Sequence, residues 1–163
     1  MTTAFLICGS TGAGKTTYSR TLAESKCAQV FSIDEWMKTL FWMDAPPKPD
    51  IDWSLSRVHR CEIQIWLVSQ RLLKTGQAVV LDLGFSKKEQ RDRVKSWIES
   101  AGYKAELHFL DVPVDVRRKR VQARNLSRSG TFSFEVDDAM FDWMESYFER
   151  PSGDEIRGAL VVH

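Results

Sequence analysis

Five short strand-like segments, set apart by amphipathic stretches, outline this chain. Residues 4–8, 29–33, 78–82, 104–110 and 159–162 each read as a strand, and 4–8 and 78–82 are apolar runs that suit burial. Between them, apolar positions recur at helical spacing. A helix over 17–26 follows the first run. Leu55, Val58, Ile65, Val68 and Leu72 mark a long helix over about 54–75, with Gly76 as its stop. Ser86-Lys87-Lys88-Glu89 has the form of a capping box; the helix it opens turns Val94, Trp97 and Ile98 inward and ends at Gly102. Pro113 marks the first turn of a helix reaching about residue 124. Val136, Met140, Met144 and Tyr147 form one stripe of a helix over about 134–148, a stripe that reads as core. Two stretches lack a period. Residues 36–53 crowd Trp36, Met37, Phe41, Trp42, Met43 and Trp53 around Pro46-Pro47-Lys48-Pro49, which predicts a loop or flap because proline stops a helix. Residues 125–133, with Gly130, predict another loop, and 150–154 a turn. Strands alternating with helices predict an α/β fold of three layers, α/β/α, with a five-stranded parallel sheet, in a single domain spanning 1–163.

Composition changes this picture little. The chain is 43% hydrophobic and 28% charged, with a formal net charge of +1. That near-neutral balance argues against a protein-wide field for nucleic acid or membranes and leaves room only for a local patch. Cys8, Cys27 and Cys61 are odd in number and scattered, so neither a disulfide framework nor a zinc site is expected, and reduced thiols in a cytoplasmic protein are the simple reading. No run is long enough for a membrane span. His59, His108 and His163 lie far apart and suggest no metal site or triad.

The chemistry enters between the first run and the first helix. Gly9, Ser10, Thr11, Gly12, Ala13, Gly14, Lys15 and Thr16 match the phosphate-loop pattern of Gly, four residues, Gly, Lys, then Ser or Thr. Small residues let backbone N–H groups turn inward around an anion. Lys15 supplies a charge for the β and γ oxygens, the Thr16 hydroxyl a ligand for Mg²⁺, and the helix start through Thr17 a positive end facing the phosphates. The fold is therefore expected to be that of a P-loop NTPase, with ligands at the carboxyl ends of the strands. Strands two and three end in acids at that edge. Asp34 suits a general base or a group holding metal-bound water, with a helix N-cap as an alternative. Asp82 suits the acid that polarises water on Mg²⁺, with a strand-end turn as an alternative. Glu35 reads as an exposed first-turn acid. Between Asp115 and Glu135 stand six cations and no acid. Arg117, Arg120 and Arg124 share one helix face, and Arg128 follows in the loop. Arg120 and Arg124 suit phosphate contact as part of an Arg-rich lid over about 117–134, whereas Arg118 and Lys119 suit a solvated face.

With these residues the chain resembles a small P-loop kinase. It is similar to the predicted-kinase group labelled as an AAA-type ATPase domain, near zeta toxins, chloramphenicol phosphotransferase and the kinase half of polynucleotide kinase. The resemblance rests on residues 9–16, then on Ser32-Ile33-Asp34-Glu35-Trp36, Leu81-Asp82-Leu83-Gly84-Phe85 and 117–125. It implies ATP and Mg²⁺ as cofactors, Asp34 as general base, and Lys15, Arg120, Arg124 and Arg128 on the phosphates. It also implies an adenine contact near Arg150 and Pro151. Met37 and Lys38 stand where the polynucleotide kinase pattern has Arg, a departure that disfavours a polynucleotide acceptor. The implied activity is transfer of the γ-phosphoryl group to a hydroxyl of a small molecule, with residues 36–57 shaping the acceptor pocket; for the aromatics of 36–53, packing of the flap against the sheet edge is the alternative. The alternatives are a polynucleotide 5′-hydroxyl kinase and a nucleotide-dependent switch acting through a partner.

Overall fold

The computed structural model describes residues 1–47, 50–127 and 135–163. The strand-like segments form β1 (Thr3–Cys8), β2 (Gln29–Ser32), β3 (Val79–Asp82), β4 (Lys104–Leu110) and β5 (Leu160–Val162). All neighbours are parallel, in the order β2-β3-β1-β4-β5. The described helices are α1 (Lys15–Lys26), α2 (Ile33–Leu40), α3 (Ile51–Lys74), α4 (Lys88–Ser100), α5 (Val114–Ser127), α6 (Asp138–Tyr147) and α7 (Asp154–Arg157).

β1 and β3 are apolar almost throughout because both sheet faces are covered there, whereas β4 carries Lys104, Glu106 and His108 at alternate positions. Alternate β1 residues Ala4, Leu6 and Cys8 join Phe31, Val79 and Leu81 against Ile65 and Leu73 of α3 and Val94 and Ile98 of α4. Phe5 and Ile7 face the other way and pack with Val80, Leu110 and Ala23, flanked by Tyr18 and Leu22 of α1. A strand of period two with an apolar layer on each side has no polar position to show. The register pairs Ser32 with Asp82 and Cys8 with Phe109. The ends of β2, β3, β1 and β4 are thereby brought to one edge. Among the described residues no helix is long and apolar enough to cross a membrane.

Three expectations are corrected. Residues 36–53 are not a loop throughout. α2 follows β2 without a gap, a 3-10 turn covers Trp42–Asp44, and α3 begins at Ile51, three residues earlier than expected. Ser32 Oγ caps α2 by accepting from Glu35 N–H at 3.4 Å, and Asp50 Oδ1 caps α3 by accepting from Trp53 N–H at 2.7 Å. Ser32-x-x-Glu35 is itself the capping signature, so the start of α2 was readable in the residues. The second correction concerns Ser86 and Glu89. α4 starts one residue later, its N-cap is Lys87, and no side chain of that segment caps it. Glu149 does so from 61 residues away, accepting from Lys88 N–H at 2.9 Å and from Lys87 Nζ at 3.1 Å. Third, α6 runs over Asp138–Tyr147 rather than about 134–148, and a short helix, α7, follows the turn from Asp154.

Candidate active site

The loop at residues 9–16 is shaped by two left-handed glycines, Gly12 at φ 79° and Gly14 at φ 92°. Side chains there are disfavoured on conformation alone. At Gly12 they are excluded by contact as well, because a Cβ would stand 2.6 Å from the Arg117 carbonyl oxygen. Gly14 is the N-cap of α1, so the open amides of the helix start lie at the loop. Lys15 Nζ donates back to Ser10 O at 3.3 Å, and the Thr16 hydroxyl donates to Asp82 Oδ2 at 3.3 Å.

Asp82 is 6% exposed. Burial pushes its carboxyl above the ordinary value of 3.8; Lys15 opposes that rise, and Asp34 adds to it. Asp34 stands in the first turn of α2 and is exposed; the cap of that helix is Ser32, not Asp34. Asp34 and Asp82 line one cavity of about 800 Å³ together with the loop residues, Arg120 and Arg124. The residues beyond β3 complete its floor. Gly84 and Ser86 line the cavity, while Phe85 between them holds a left-handed φ of 42°. That backbone is fixed by burial of the Phe85 ring and by Arg91 Nη1, which donates to Phe85 O at 3.0 Å.

The arginines of α5 divide by role. Arg120 Nη1 donates to Ala13 O at 3.4 Å and stays exposed. Arg124 lines the cavity with its Nε buried and unpaired among the described residues. Both are open to an anion. Arg117, on the same sequence face, is not. It is 5% exposed and its guanidinium is spent on Val112 O (2.8 Å), Thr11 O (3.2 Å) and both Glu145 oxygens (2.6 and 2.9 Å). Arg118 pairs with Asp138 and Asp142 of α6 rather than facing solvent alone. Arg128 lies outside the described residues. Pro151 is buried and does not line the large cavity. Arg150 pairs with Asp111, lies 5.0 Å over the Phe109 ring, and borders a smaller cavity of about 100 Å³ beside Ser10.

Little of the 36–57 stretch reaches the large cavity. Of the described residues among 36–57, only Lys38 lines it. Trp36 packs edge-on against Phe31, and Trp53 carries the Arg57 guanidinium 3.9 Å above its ring. The wall is built instead by α6, through Trp143, Met144, Tyr147 and the adjoining Phe148. α6 is locked to the phosphate loop. Ser10 Oγ donates to Glu145 Oε2 at 3.0 Å and Thr11 Oγ1 to Met144 Sδ at 3.1 Å. Hydrogen bonds from Arg117, and then from Ser10, hold the Glu145 carboxyl below its ordinary value of 4.5. The Met140–Met144–Tyr147 stripe was visible in the sequence, but its period cannot tell a core from a cavity wall.

Arg117 is thus a structural pillar of the loop. Removing one member of a buried pair costs about 3–5 kcal/mol. The Glu145 side chain is 37% exposed and can recover water. Arg117→Ala is therefore expected to lower stability by about 2–3 kcal/mol in urea unfolding, with weaker nucleotide binding.

A parallel sheet in this order, a phosphate loop feeding a helix and an acid ending β3 beside the loop threonine define a P-loop kinase-like fold. The chain belongs to the AAA domain family, whose profile matches residues 5–151. Solved structures agree on the fold. A protein of Chloroflexus aurantiacus j-10-fl described as a candidate kinase superposes with a TM-score of 0.74 at 20% identity, covering 99% of this chain and 88% of that one. Kti12 of Chaetomium thermophilum, in complex with ADP-AlF3, gives 0.71 at 15% identity, covering 98% and 88%. The APS kinase CysC of Mycobacterium tuberculosis, in complex with AMPPNP and APS, gives 0.63 at 16% identity, covering 93% and 84%. No curated protein matches the chain in sequence.

Proposed function

We propose that the protein is an ATP- and Mg²⁺-dependent phosphotransferase whose acceptor is a hydroxyl of a small molecule. The observation that carries this reading is the meeting of Lys15, the Thr16–Asp82 pair, Asp34, Arg120 and Arg124 around one cavity. The donor set fits the nucleotide and its metal. Left-handed Gly12 and Gly14 leave two positions of the loop without a Cβ, and a hydroxyl beside one carboxylate suits Mg²⁺, which takes few protein ligands and the rest from phosphate and water. Thr16 and Asp82 would hold the ion, which supplies charge neutralisation between the phosphates.

The residues then divide the work. Lys15 leaves Ser10 O for the phosphate oxygens, and the backbone amides of residues 12–17 orient the triphosphate. Arg120 and Arg124 bring two further guanidinium groups to the charge on the moving phosphoryl group. Asp34 takes the proton of the acceptor hydroxyl as its oxygen attacks in line. Catalysis comes from positioning and fixed charge, since phosphoryl transfer leaves the protein little covalent chemistry. The domain works as one unit over 1–163, in a cytoplasmic setting.

The test is transfer from γ-labelled ATP to a panel of hydroxyl compounds with ADP release followed in parallel. We expect a small-molecule acceptor to raise ADP release at least about tenfold over the acceptor-free rate. Labelled product only on an oligonucleotide 5′ end would make the protein a polynucleotide kinase. ADP release that no acceptor stimulates, with a partner bound differently in ATP and ADP, would make it a switch.

A further inference from the structure

We propose that Trp143 and Tyr147 form a stacking platform for a planar aromatic or heteroaromatic ring carried by the acceptor. This rests on the kinase reading for the word acceptor, but the ring site itself rests on geometry. The two rings are stacked, with centroids 5.1 Å apart and planes 17° from parallel. Both line the cavity that holds Asp34 and Asp82. Tyr147 is half-buried, and the Lys87 ammonium stands 4.1 Å from its ring centroid. Trp143 remains 47% exposed, while the core residue of the same helix, Phe141, is 1% exposed. An exposed indole backed by a second ring is a preformed surface for a flat apolar group. It offers large contact area at little conformational cost.

The position of the platform favours the acceptor over the donor base. Tyr147 meets Lys87, and Glu149 meets Lys87 and Lys88, so this end of α6 sits over the loop leaving β3. That loop continues from Asp82, and β3 neighbours β2, which leads to Asp34. The small cavity bordered by Phe109, Asp111 and Arg150 lies at the end of β4 and shares Ser10 and Phe148 with the large one, and neither Trp143 nor Tyr147 lines it. The platform is also rigid relative to the phosphates, because Glu145 and Met144 are bonded to Ser10 and Thr11. A ring stacked there is held at a fixed reach from the transferred group, which is what in-line transfer needs.

The experiment measures binding and transfer side by side on wild type, Trp143→Leu and Trp143→Phe. Each protein is saturated with a non-hydrolysable ATP analogue for binding and supplied with labelled ATP for transfer. The ring-bearing probes are thymidine, pyridoxine and tyramine; the ring-free probes are D-gluconate, myo-inositol and glycerol. We expect a ring probe to bind at least about tenfold more tightly than any ring-free one. Trp143→Leu should erase that margin and Trp143→Phe should restore most of it, with affinity for the ATP analogue within about twofold throughout. The platform is wrong if ring-free probes bind equally well, if Trp143→Leu leaves ring binding unchanged, or if it weakens the ATP analogue as much as the ring probes. Ring binding lost in Trp143→Leu without any labelled product would keep the platform and remove the kinase reading. Product from a ring-free probe, indifferent to Trp143→Leu, would do the reverse.

Discussion

Replacing Asp34 by Asn lowers phosphoryl transfer at least about a hundredfold and leaves nucleotide affinity within about twofold. The magnitude follows from the role. A positioned base contributes about 10²–10⁴ in rate, and a hundredfold loss is about 2.7 kcal/mol of barrier. The fold should not change. The carboxylate is exposed, in the first turn of α2, and the cap of that helix is made by Ser32 Oγ to Glu35 N–H. An amide of the same shape forfeits only a few tenths of a kcal/mol of charge–dipole stabilisation there. Nucleotide binding should be spared, because Lys15, Thr16 and the loop amides lie on another strand end. The Asp34 charge also raises the Asp82 carboxyl, so its removal makes Asp82 easier to ionise. Single-turnover transfer and nucleotide titration on the same preparation check both halves. Normal transfer by the variant would remove Asp34 as the base.

That prediction leans on a part of the site that was legible early. Continuous apolar runs named β1 and β3, which are covered on both faces, whereas β4 carries Lys104, Glu106 and His108 at alternate positions. The phosphate loop and Asp82 followed from spacing and from the end of a run. Local chemistry also marked α2, through Ser32 and Glu35, although the Trp-rich and Pro-rich stretch behind it masked the signal. What could not be read was any partnership across distance. Glu149 caps α4 from 61 residues away, and Ser10 bonds Glu145 across 135 residues. Arg117 and Arg120 stand on one turn of one helix, yet one is consumed by Glu145 and the other is open to an anion. Helical spacing makes them equivalent. Only the docking of α6 against the loop makes them different.

The same docking also shapes the cavity wall. The aromatics of residues 36–53 have composition suited to a pocket, but α2 and α3 turn Trp36 and Trp53 to their own packing. α6 supplies the wall instead, and it does so while bracing the phosphate loop through Glu145. One helix therefore ties the phosphate loop to the cavity wall, which is why a change in Arg117 should be felt at both.

Replacing Asp82 by Asn pulls stability and activity in opposite directions. Burial disfavours the ionised carboxylate of Asp82, so the folded protein holds its proton to a higher pH than the unfolded chain does. Where the folded state binds more protons, stability falls as pH rises. The fall begins near the ordinary value of 3.8 and is complete above the raised folded value. An amide removes the charge and can still accept the Thr16 hydroxyl, now at 3.3 Å from Oδ2. The nucleotide-free variant should gain on the order of 1 kcal/mol, typical of relieving a functional site, which raises Tm by about 2–4 °C for a chain of this size. Its stability should also lose the pH slope that Asp82 contributes on the acid side of neutrality. Transfer should nonetheless fall at least about a hundredfold, since the neutral amide cannot serve Mg²⁺ as the carboxylate does. Thermal unfolding from pH 4 to 8, with and without ATP and Mg²⁺, separates the two effects. A variant that is less stable without nucleotide would mean that the Asp82–Thr16 contact outweighs the buried charge.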